Sequence, residues 1–371
     1  VRERLAREEP LPGAAPVRVG EPISLSSGPD GTVYPALFDC ASREIELPNA
    51  ATERKWVAPT AINRLETVDG LWTAYDRVRP TVATVRDDAE HGSGHVSIRA
   101  MEVLRDAVGS LRTGDTDAGA AWEAVTGTAE ELLDARPSMA AVTNRVNRIV
   151  SRSAGDRTAA AIERVAIEEI AAGIKADRRA ASEAASLAAG ATVLTLSRSG
   201  TLLPALTDGP DRVIVAESRP GREGIGVAER IAEAGVSTVL CADSAVAHVL
   251  GTEPTDAVLV GADTVLRDGT LINKVGTRGA AVAAAAEGVP VYAVTARDKV
   301  SPAASPELES GPDSDVYDGE GSIDVANPTF DVTPPRYVTE FVTDSGRFRP
   351  EDVSGIAADH AALSSWRRDS S

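Results

Sequence analysis

Two polar clusters, each directly after a short apolar run, are the residues of this sequence best suited to chemistry. Asp263 follows the unbroken apolar run at 257–260, and Asn273 and Lys274 follow a second run at 270–272. Such runs are typical of buried strands, so a carboxylate, an amide and an ammonium group are expected at strand carboxyl ends. An alanine-rich helix is predicted directly afterwards, and the free N–H groups at its start would complete an anion site.

Lysine is rare in this chain, which makes the position of each lysine informative. The sequence has 38 lysine and arginine residues, yet lysine occurs only at positions 55, 175, 274 and 299. A rare lysine beside asparagine and glycine is better explained by ligand binding than by solvation. We therefore interpret Lys274 as part of a binding site.

Six strand-like runs follow from residue 191 onwards, mostly separated by segments of helix length. They are ATVLTLS, RVIVAES, VSTVLCADS, AVLVGAD, TLINKVGT and VPVYAVTA. This alternation predicts the α/β class and a Rossmann-like, doubly wound parallel sheet that binds ligands at the carboxyl ends of its strands. A single polar residue at a strand end is also explained as a helix cap. Several such residues at one edge of the sheet together predict a pocket for a phosphorylated polyol. Besides the clusters above, the polar residues at the strand ends are Ser197, Arg198, Ser199, Glu217, Arg219 and Asp243.

An all-helical segment precedes the predicted sheet. Apolar residues recur at helical spacing over about 93–112, 118–133, 138–150 and 158–188, which predicts four helices. The third of these helices begins just after a proline, as expected for a helix start.

His91 and His95 stand four residues apart, the spacing at which two imidazoles share a metal on a helix. Glycines lie between them, and no glutamate follows the first histidine as it does in an HExxH motif. We therefore interpret the pair as solvated or helix-capping and predict no metal site. Gly92 and Ser93 are instead candidates to present backbone N–H groups to an anion at the helix start.

Residues 22–57 form a strand-rich segment. ISLSS and TVYPALFDC flank the turn GPDG and predict a hairpin. Together with a helix over LWTAYDRV, this arrangement resembles the second half of a Nudix hydrolase domain. The metal-binding helix of that family needs Arg-Glu and Glu-Glu at a fixed spacing, whereas RERLAREE has these residues at other distances. We therefore predict a small packing appendage without catalytic function.

The strong negative charge of the chain limits its partners. A net charge of −18 and a pI near 4.7 repel nucleic acid and anionic membranes. Few lysines and few aromatic residues accompany this acidity, which is typical of a halophilic source. Cys40 and Cys241 are too few for a disulfide framework. No run of membrane-spanning length and no basic leader with an apolar core is present, so a cytoplasmic location is expected.

Missing motifs exclude several classes of ligand and reaction. No GxGxxG follows a strand and opens a helix, and no GxxxxGK[ST] occurs. LSRSG lacks the first glycine of the GxSxG nucleophile elbow. We therefore predict no dinucleotide or other cofactor, no nucleoside triphosphatase and no serine hydrolase.

Six motifs occur in an order that identifies a family. They are ARPSMAAVTNRV, TLSRSG, VAESRPGREG, CADSAVAHVL, VGADTVLRDGTLINKVGT and NPTFDVTPPRYVT. Over about residues 80–345 the chain resembles the superfamily of the alpha, beta and delta subunits of translation initiation factor 2B. Its enzyme members are methylthioribose-1-phosphate isomerase and the archaeal ribose-1,5-bisphosphate isomerase. The resemblance implies a pocket for a sugar phosphate or nucleoside monophosphate between two domains, a homodimer or larger homo-oligomer, and a possible translation-factor partner.

The resemblance also assigns roles to residues. Asp263 takes the place of the acid/base group, and Asn273 and Lys274 contact the sugar phosphate or a hydroxyl group. Gly92 and Ser93 lie in the loop that grips phosphate in the enzymes.

Ser197 stands where the enzymes of the family have a cysteine. Serine is a far poorer acid than a thiol, so this difference favours a regulatory protein that binds the ligand, with an aldose–ketose isomerase as the alternative. The phosphate loop also lacks the arginine of the enzymes. Arg136 and Arg198 are candidates to restore affinity for phosphate.

The remaining segments carry weaker signals. Residues 301–322 are acidic and rich in Pro, Ser and Gly, so they are expected to form an exposed loop. Asp331 is either a further site residue or a turn-capping carboxylate. The predicted segments are an appendage at 1–78, a helical domain at 79–188, a Rossmann-like domain at 189–345 and a frayed tail with one weak helix at 346–371.

Overall fold

Two small antiparallel sheets form the amino-terminal part of the fold. The computed structural model describes residues 14–24, 32–40, 55–113 and 117–368. The strand pairs are β1 (Ala14–Val19) with β4 (Ala36–Cys40) and β2 (Ile23–Ser24) with β3 (Thr32–Val33). The hairpin predicted for this region is confirmed by the second pair, whereas the RERLAREE segment lies outside the described residues.

A layer of helices follows. Its short first members are α1 (Leu71–Asp76) and α2 (Val82–Arg86). The four predicted helices correspond to α3 (Ser93–Ser110), α4 (Ala118–Ala135), α5 (Ala140–Ser153) and α6 (Ala159–Ala188). Their apolar faces form one buried core, as the helical spacing predicts. Among the described residues, no helix combines the length and the apolar character needed to cross a bilayer.

A seven-stranded sheet forms the second layer. Its order is β14, β13, β11, β8, β5, β6, β7, and all neighbours are parallel except β13 and β14. The chain leaves β5 towards one edge and returns to start the other half at β8, so the switch point lies between these two strands. Ligands of such sheets bind at this point, beyond the strands' carboxyl ends. The strands are β5 (Thr192–Leu196), β6 (Arg212–Ala216), β7 (Ser237–Cys241), β8 (Ala257–Gly261), β11 (Val291–Val294), β13 (Glu340–Thr343) and β14 (Gly346–Phe348).

Short helices connect the strands of this sheet. Most of them join successive parallel strands, as expected for crossover connections. They are α7 (Leu203–Leu206), α8 (Glu223–Glu233), α9 (Val246–Thr252) and α10 (Thr277–Glu287), and α11 (Val353–Ala362) follows the last strand.

The run at 270–272 does not belong to the parallel sheet, and this part of the prediction was wrong. It lies in β10 (Leu271–Lys274), which pairs antiparallel with β9 (Thr264–Val265) and β12 (Phe330–Thr333) in a separate three-stranded sheet. A parallel strand needs a crossover of a dozen or more residues. The connection after β8 is shorter than that, so the chain turns back on itself.

Residues 346–368 are not a frayed tail. Val353 and Ile356 of α11 are buried in the core of the sheet layer. Trp366 is only 4% exposed, lies in the core of the helical layer and donates through Nε1 to Oδ1 of Asn147 at 3.0 Å. The weak helical periodicity of this segment did not reveal these contacts, because its partners are far away in the sequence.

A buried ionic cluster holds the helical layer on the sheet layer. Asp298, just after β11, accepts from Nε of Arg145 at 2.8 Å and from Arg148 at 2.5 Å. Asn144 donates to the backbone carbonyls of Asp298 and Val300 at 2.8 Å each. Burial alone raises the pKa of Asp298, but the two guanidinium groups outweigh it and hold the pKa well below its ordinary value.

Replacing Asp298 with asparagine is expected to lower the free energy of unfolding by about 3 kcal/mol, because it leaves buried arginine charge without its partner. A carboxyl whose pKa is depressed by folding stabilises the protein above its unfolded pKa, and this contribution is lost as the pH falls through the folded value. The difference between wild type and Asp298→Asn should therefore be full at pH 7 and shrink below about pH 4. Urea unfolding of both proteins at pH 7 and below about pH 4 measures this difference in stability.

The matched control is Asp359→Asn, which removes an exposed partner of Arg297. Exposed pairs contribute little to stability, so its urea midpoint should stay close to that of wild type. Equal destabilisation by the two variants at pH 7 would contradict the role of the buried cluster.

Candidate functional site

A cavity of about 190 Å³ lies at the switch point of the sheet. It is bounded by the carboxyl ends of β5 and β8 and by the start of α3, so both layers contribute to its wall. The lining residues are Gly92, Gly94, His95 and Asp177 from the helical layer, and 196–201, 261–263, Asn273 and Lys299 from the sheet layer.

Asp263 lies at the bottom of this cavity, directly beyond β8. Its Oδ1 accepts from Oγ of Ser93 at 3.3 Å, and its backbone N–H donates to the carbonyl of Ile272 at 2.9 Å. Burial raises the pKa of Asp263, although Lys299 and the hydrogen bond from Ser93 act in the opposite direction. The carboxyl group therefore holds a proton to a higher pH than an exposed aspartate does.

Lys299 is a cavity residue that the sequence analysis did not single out. It is 6% exposed, and its Nζ donates to the carbonyl of Ala262 at 2.6 Å. Burial lowers the pKa of Lys299, and the charges of Asp263 and Asp177 raise it again. The signal was present in the sequence, since the rarity of lysine that pointed to Lys274 applies equally to Lys299.

The anion site predicted after β10 is occupied by the protein's own carboxylates. Nζ of Lys274 lies 2.7 Å from Oε1 of Glu223. Oδ2 of Asp331 accepts from the backbone N–H groups of Gly276 and Arg278 at 2.8 and 2.9 Å, so it caps α10. Lys274 does not line the cavity, and Asp331 adopts the capping role that was its alternative.

Asn273, by contrast, lies in the cavity wall. It is 6% exposed and donates through Nδ2 to Oγ1 of Thr277 at 2.9 Å. This bond fixes the amide and leaves its oxygen available to a ligand.

The polar ends of β6 and β7 lie outside the cavity. Asp243 accepts from the backbone N–H groups of Ser218 and Arg219 at 2.8 and 2.6 Å, which is a turn-capping role. The guanidinium of Arg219 is mostly exposed and lies 3.9 Å from Glu217. The structure therefore does not bring Glu217, Arg219 and Asp243 to the residues around Asp263.

The turn after β5 carries the exposed part of the cavity wall. Ser197 adopts φ 60°, a left-handed conformation that is uncommon without glycine, and its N–H donates to Oγ of Ser218 at 2.6 Å. Oγ of Ser199 accepts from the N–H of Leu202 at 3.2 Å. Arg198 is exposed at the cavity and, among the described residues, forms no ion pair.

The start of α3 forms the opposite wall. Gly92 precedes the helix, and Ser93 is fully buried in its first turn. The first N–H groups of a helix have no partner within it and carry a partial positive charge, so this wall favours an anion. Arg136 does not reach the cavity, because its Nε donates to the carbonyl of Val85 at 2.9 Å and another nitrogen donates to the carbonyl of Asp88.

His91 and His95 stack with ring centroids 4.1 Å apart. Together with Asp88 they bring three possible metal-ligand atoms within 4.8 Å of one another. Burial and the neighbouring Arg99 lower the pKa of His95 to about 4. Nε of Arg99 donates to Nε2 of His95 at 3.3 Å, and such a nearby cation opposes a metal ion.

Known proteins resemble this chain over about three quarters of its length. Residues 89–350 match the model of the initiation factor 2 subunit family. The ribose 1,5-bisphosphate isomerase of Haloferax volcanii is 31% identical over 303 residues, which cover 75% of this chain and 92% of that protein.

Solved structures share the fold. The translation initiation factor eIF-2B of Pyrococcus horikoshii OT3 has a TM-score of 0.63 at 23% identity and covers 73% of this chain and 96% of its own. The 5-methylthioribose 1-phosphate isomerase of the same organism has a TM-score of 0.59 at 23% identity, with 76% and 86% covered. The family model begins at residue 89, so the resemblance of the preceding segment to Nudix hydrolases remains a prediction.

Replacing Ser218 with alanine is expected to destabilise the turn at the cavity. The change leaves the N–H of Ser197 without its acceptor, which costs about 1–2 kcal/mol. Urea unfolding measures the effect. Ser197→Ala is the control, since the Ser197 hydroxyl makes no hydrogen bond to the described residues, and its midpoint should match wild type. Equal midpoints for both variants would show that the bond to Ser218 does not hold the turn.

Proposed function

This chain belongs to the initiation factor 2 subunit family, and from this premise we propose that it is an aldose–ketose isomerase acting on a phosphorylated sugar. The observation that carries the proposal is the carboxyl of Asp263 in the cavity, where burial raises its pKa and where Arg198 and Lys299 line the same wall. The isomerase of Haloferax volcanii, similar over three quarters of this chain, supports it further. The regulatory function favoured by the serine at position 197 has less support, because the relative reported above is an enzyme.

The phosphate of the substrate is proposed to bind between Arg198 and the start of α3. Arg198 provides a charge that no described residue pairs with at the mouth of the cavity, and the first turn of α3 provides N–H groups. Asn273 is placed to accept a hydrogen bond from a sugar hydroxyl. Homo-oligomerisation and a translation-factor partner remain predictions from the family resemblance.

Asp263 is proposed to move the proton that opens the sugar ring. In an aldose 1-phosphate the anomeric carbon carries both the phosphate and the ring oxygen. Asp263 donates its proton to the ring oxygen as the bond from that oxygen to the anomeric carbon breaks. The hydrogen on C2 then moves to C1 with its electron pair, the hydroxyl on C2 loses its proton, and the C2 carbonyl forms.

A carboxyl group whose pKa is raised by burial would allow this chemistry to proceed without the family cysteine. A thiol is useful there because its pKa lies near neutral pH, and burial shifts the pKa of Asp263 in the same direction. The serine at position 197 then needs to supply only the strained turn, not an acid.

Asp263→Asn is expected to reduce turnover at least about 100-fold, because the amide cannot donate the proton that opens the ring. An assay with ribose-1,5-bisphosphate and with methylthioribose-1-phosphate, with the ketose product followed by NMR, measures the effect. In wild type, kcat/KM should fall as the pH rises above the raised pKa of Asp263, since the protonated form is lost. Turnover that survives the substitution unchanged would remove Asp263 from the mechanism.

Arg198→Gln is expected to weaken substrate binding about 10–100-fold, because one charge-assisted contact to phosphate is lost. KM and a direct binding titration measure the loss. Arg219→Gln is the matched control, since this arginine follows the neighbouring strand and does not line the cavity. If both substitutions weaken binding equally, the phosphate does not lie at Arg198.

A further inference from the structure

The cavity contains a second carboxylate, Asp177, which the sequence did not single out. We propose that Asp177 is the catalytic partner of Asp263 and removes the proton of the substrate's C2 hydroxyl. This role rests on the proposed isomerase function. It requires that Asp177 faces the substrate, is held in place and is the suitable base of the cavity.

Two neighbouring residues at the start of α3 show where the carboxylates lie. Oγ of Ser93 donates to Asp263, and a Cβ placed on Gly94 would lie 3.6 Å from Oδ2 of Asp177. Consecutive residues of one helical turn therefore contact the two carboxylates. Both acids lie around the same helix end, with Lys299 close enough to interact with each.

The two oxygens of Asp177 have different surroundings. Oδ1 accepts from a guanidinium nitrogen of Arg145 at 3.3 Å, which holds the side chain in place. Oδ2 faces Gly94, a residue without a side chain, and forms no hydrogen bond to the described residues. The side chain is 23% exposed towards the cavity. One oxygen is thus fixed by the protein and the other is open to a ligand.

A purely structural role for Asp177 is the competing explanation. Arg145 is 1% exposed and needs a counterion, but Nε of Arg145 already donates to Asp298 at 2.8 Å. Arg145 also donates to Oγ of Ser97 at 2.9 Å. Its contact with Asp177 is the longer of its two ion pairs. The charge of Arg145 therefore has a closer partner elsewhere.

Other groups in the cavity are less suited to accept the proton. The Ser197 hydroxyl has no accessible anion near neutral pH. Nζ of Lys299 is held by the carbonyl of Ala262. Nε2 of His95 already accepts a hydrogen bond from Nε of Arg99.

The proposed step balances in protons and electrons. As the C2 hydrogen moves to C1 with its electron pair, the O–H bond of the C2 hydroxyl group breaks, its electron pair forms the second bond of the carbonyl, and its proton passes to Asp177. Asp263 has by then given its proton to the ring oxygen. One proton must therefore return from Asp177 to Asp263 through water after each turnover, and no other reactant is needed.

The test compares Asp177→Asn, Asp177→Glu and Asp359→Asn with wild type in the isomerase assay. Asp177→Asn should lower kcat at least about 100-fold, since general base catalysis contributes about 10²–10⁴-fold, and change KM less than about threefold. Asp177→Glu should recover at least about tenfold in kcat because it restores the carboxylate. Asp359→Asn should resemble wild type.

Each alternative has a distinct result. If wild type turns over neither sugar phosphate, the isomerase function itself fails, and the role of Asp177 with it. If wild type is active and Asp177→Asn matches it, the isomerase function stands and the role of Asp177 is overturned. If Asp177→Asn loses kcat together with its melting temperature and Asp177→Glu does not recover kcat, Asp177 is structural and the proposal is likewise overturned.

Discussion

The buried contact between Asp298 and the arginines of α5 is the interaction on which the cavity depends. The cavity has walls from two layers, so it exists only while the start of α3 stays over the carboxyl ends of β5 and β8. Asp298 lies in the short turn after β11 and fixes α5 against the sheet, and α3 packs against α5. Lys299, the next residue along the chain, is thereby placed beside Asp263. One ionic cluster thus joins the layers and positions a cation of the site.

In so acidic a chain, a positive charge indicates an anion-binding site only where no carboxylate neutralises it. Lys274 follows a strand and precedes a helix, yet Glu223 neutralises it. The N-terminus of that helix is capped by Asp331 from a distant strand. Arg198 and the start of α3 keep their positive potential at the cavity. The local sequence pattern predicted where an anion could bind. Whether an anion can bind there depends on where the fold places the protein's own carboxylates.

Sequence patterns predicted the parts of the fold that depend on local periodicity. The apolar runs of β5, β6 and β8 and the spacing of helices α3 to α6 were sufficient. Strands buried on both faces are mostly apolar, and helices buried on one face repeat apolar residues at helical spacing. The position of Asp263 at the end of β8 followed from the same reasoning. The small antiparallel sheet around β10 was missed, because a short apolar run does not show whether its strand pairs in parallel or antiparallel. The contacts of Trp366 were missed because they join the end of the chain to α5.

The cavity residues that escaped prediction share one physical property. Asp177 lies within a long helix and Lys299 in a short turn, and neither position ends a strand in a motif that predicts chemistry. Their importance comes from their position in the wall of the cavity that contains Asp263, which depends on how the layers dock and not on neighbouring residues in the sequence. The same docking can transfer an acid/base role from one side chain to another while the fold stays constant. The serine at the end of β5, where the family resemblance implies a cysteine, is therefore a weak argument against the proposed isomerase function, because proton transfer would depend on which acids the cavity contains rather than on the residue that follows one strand.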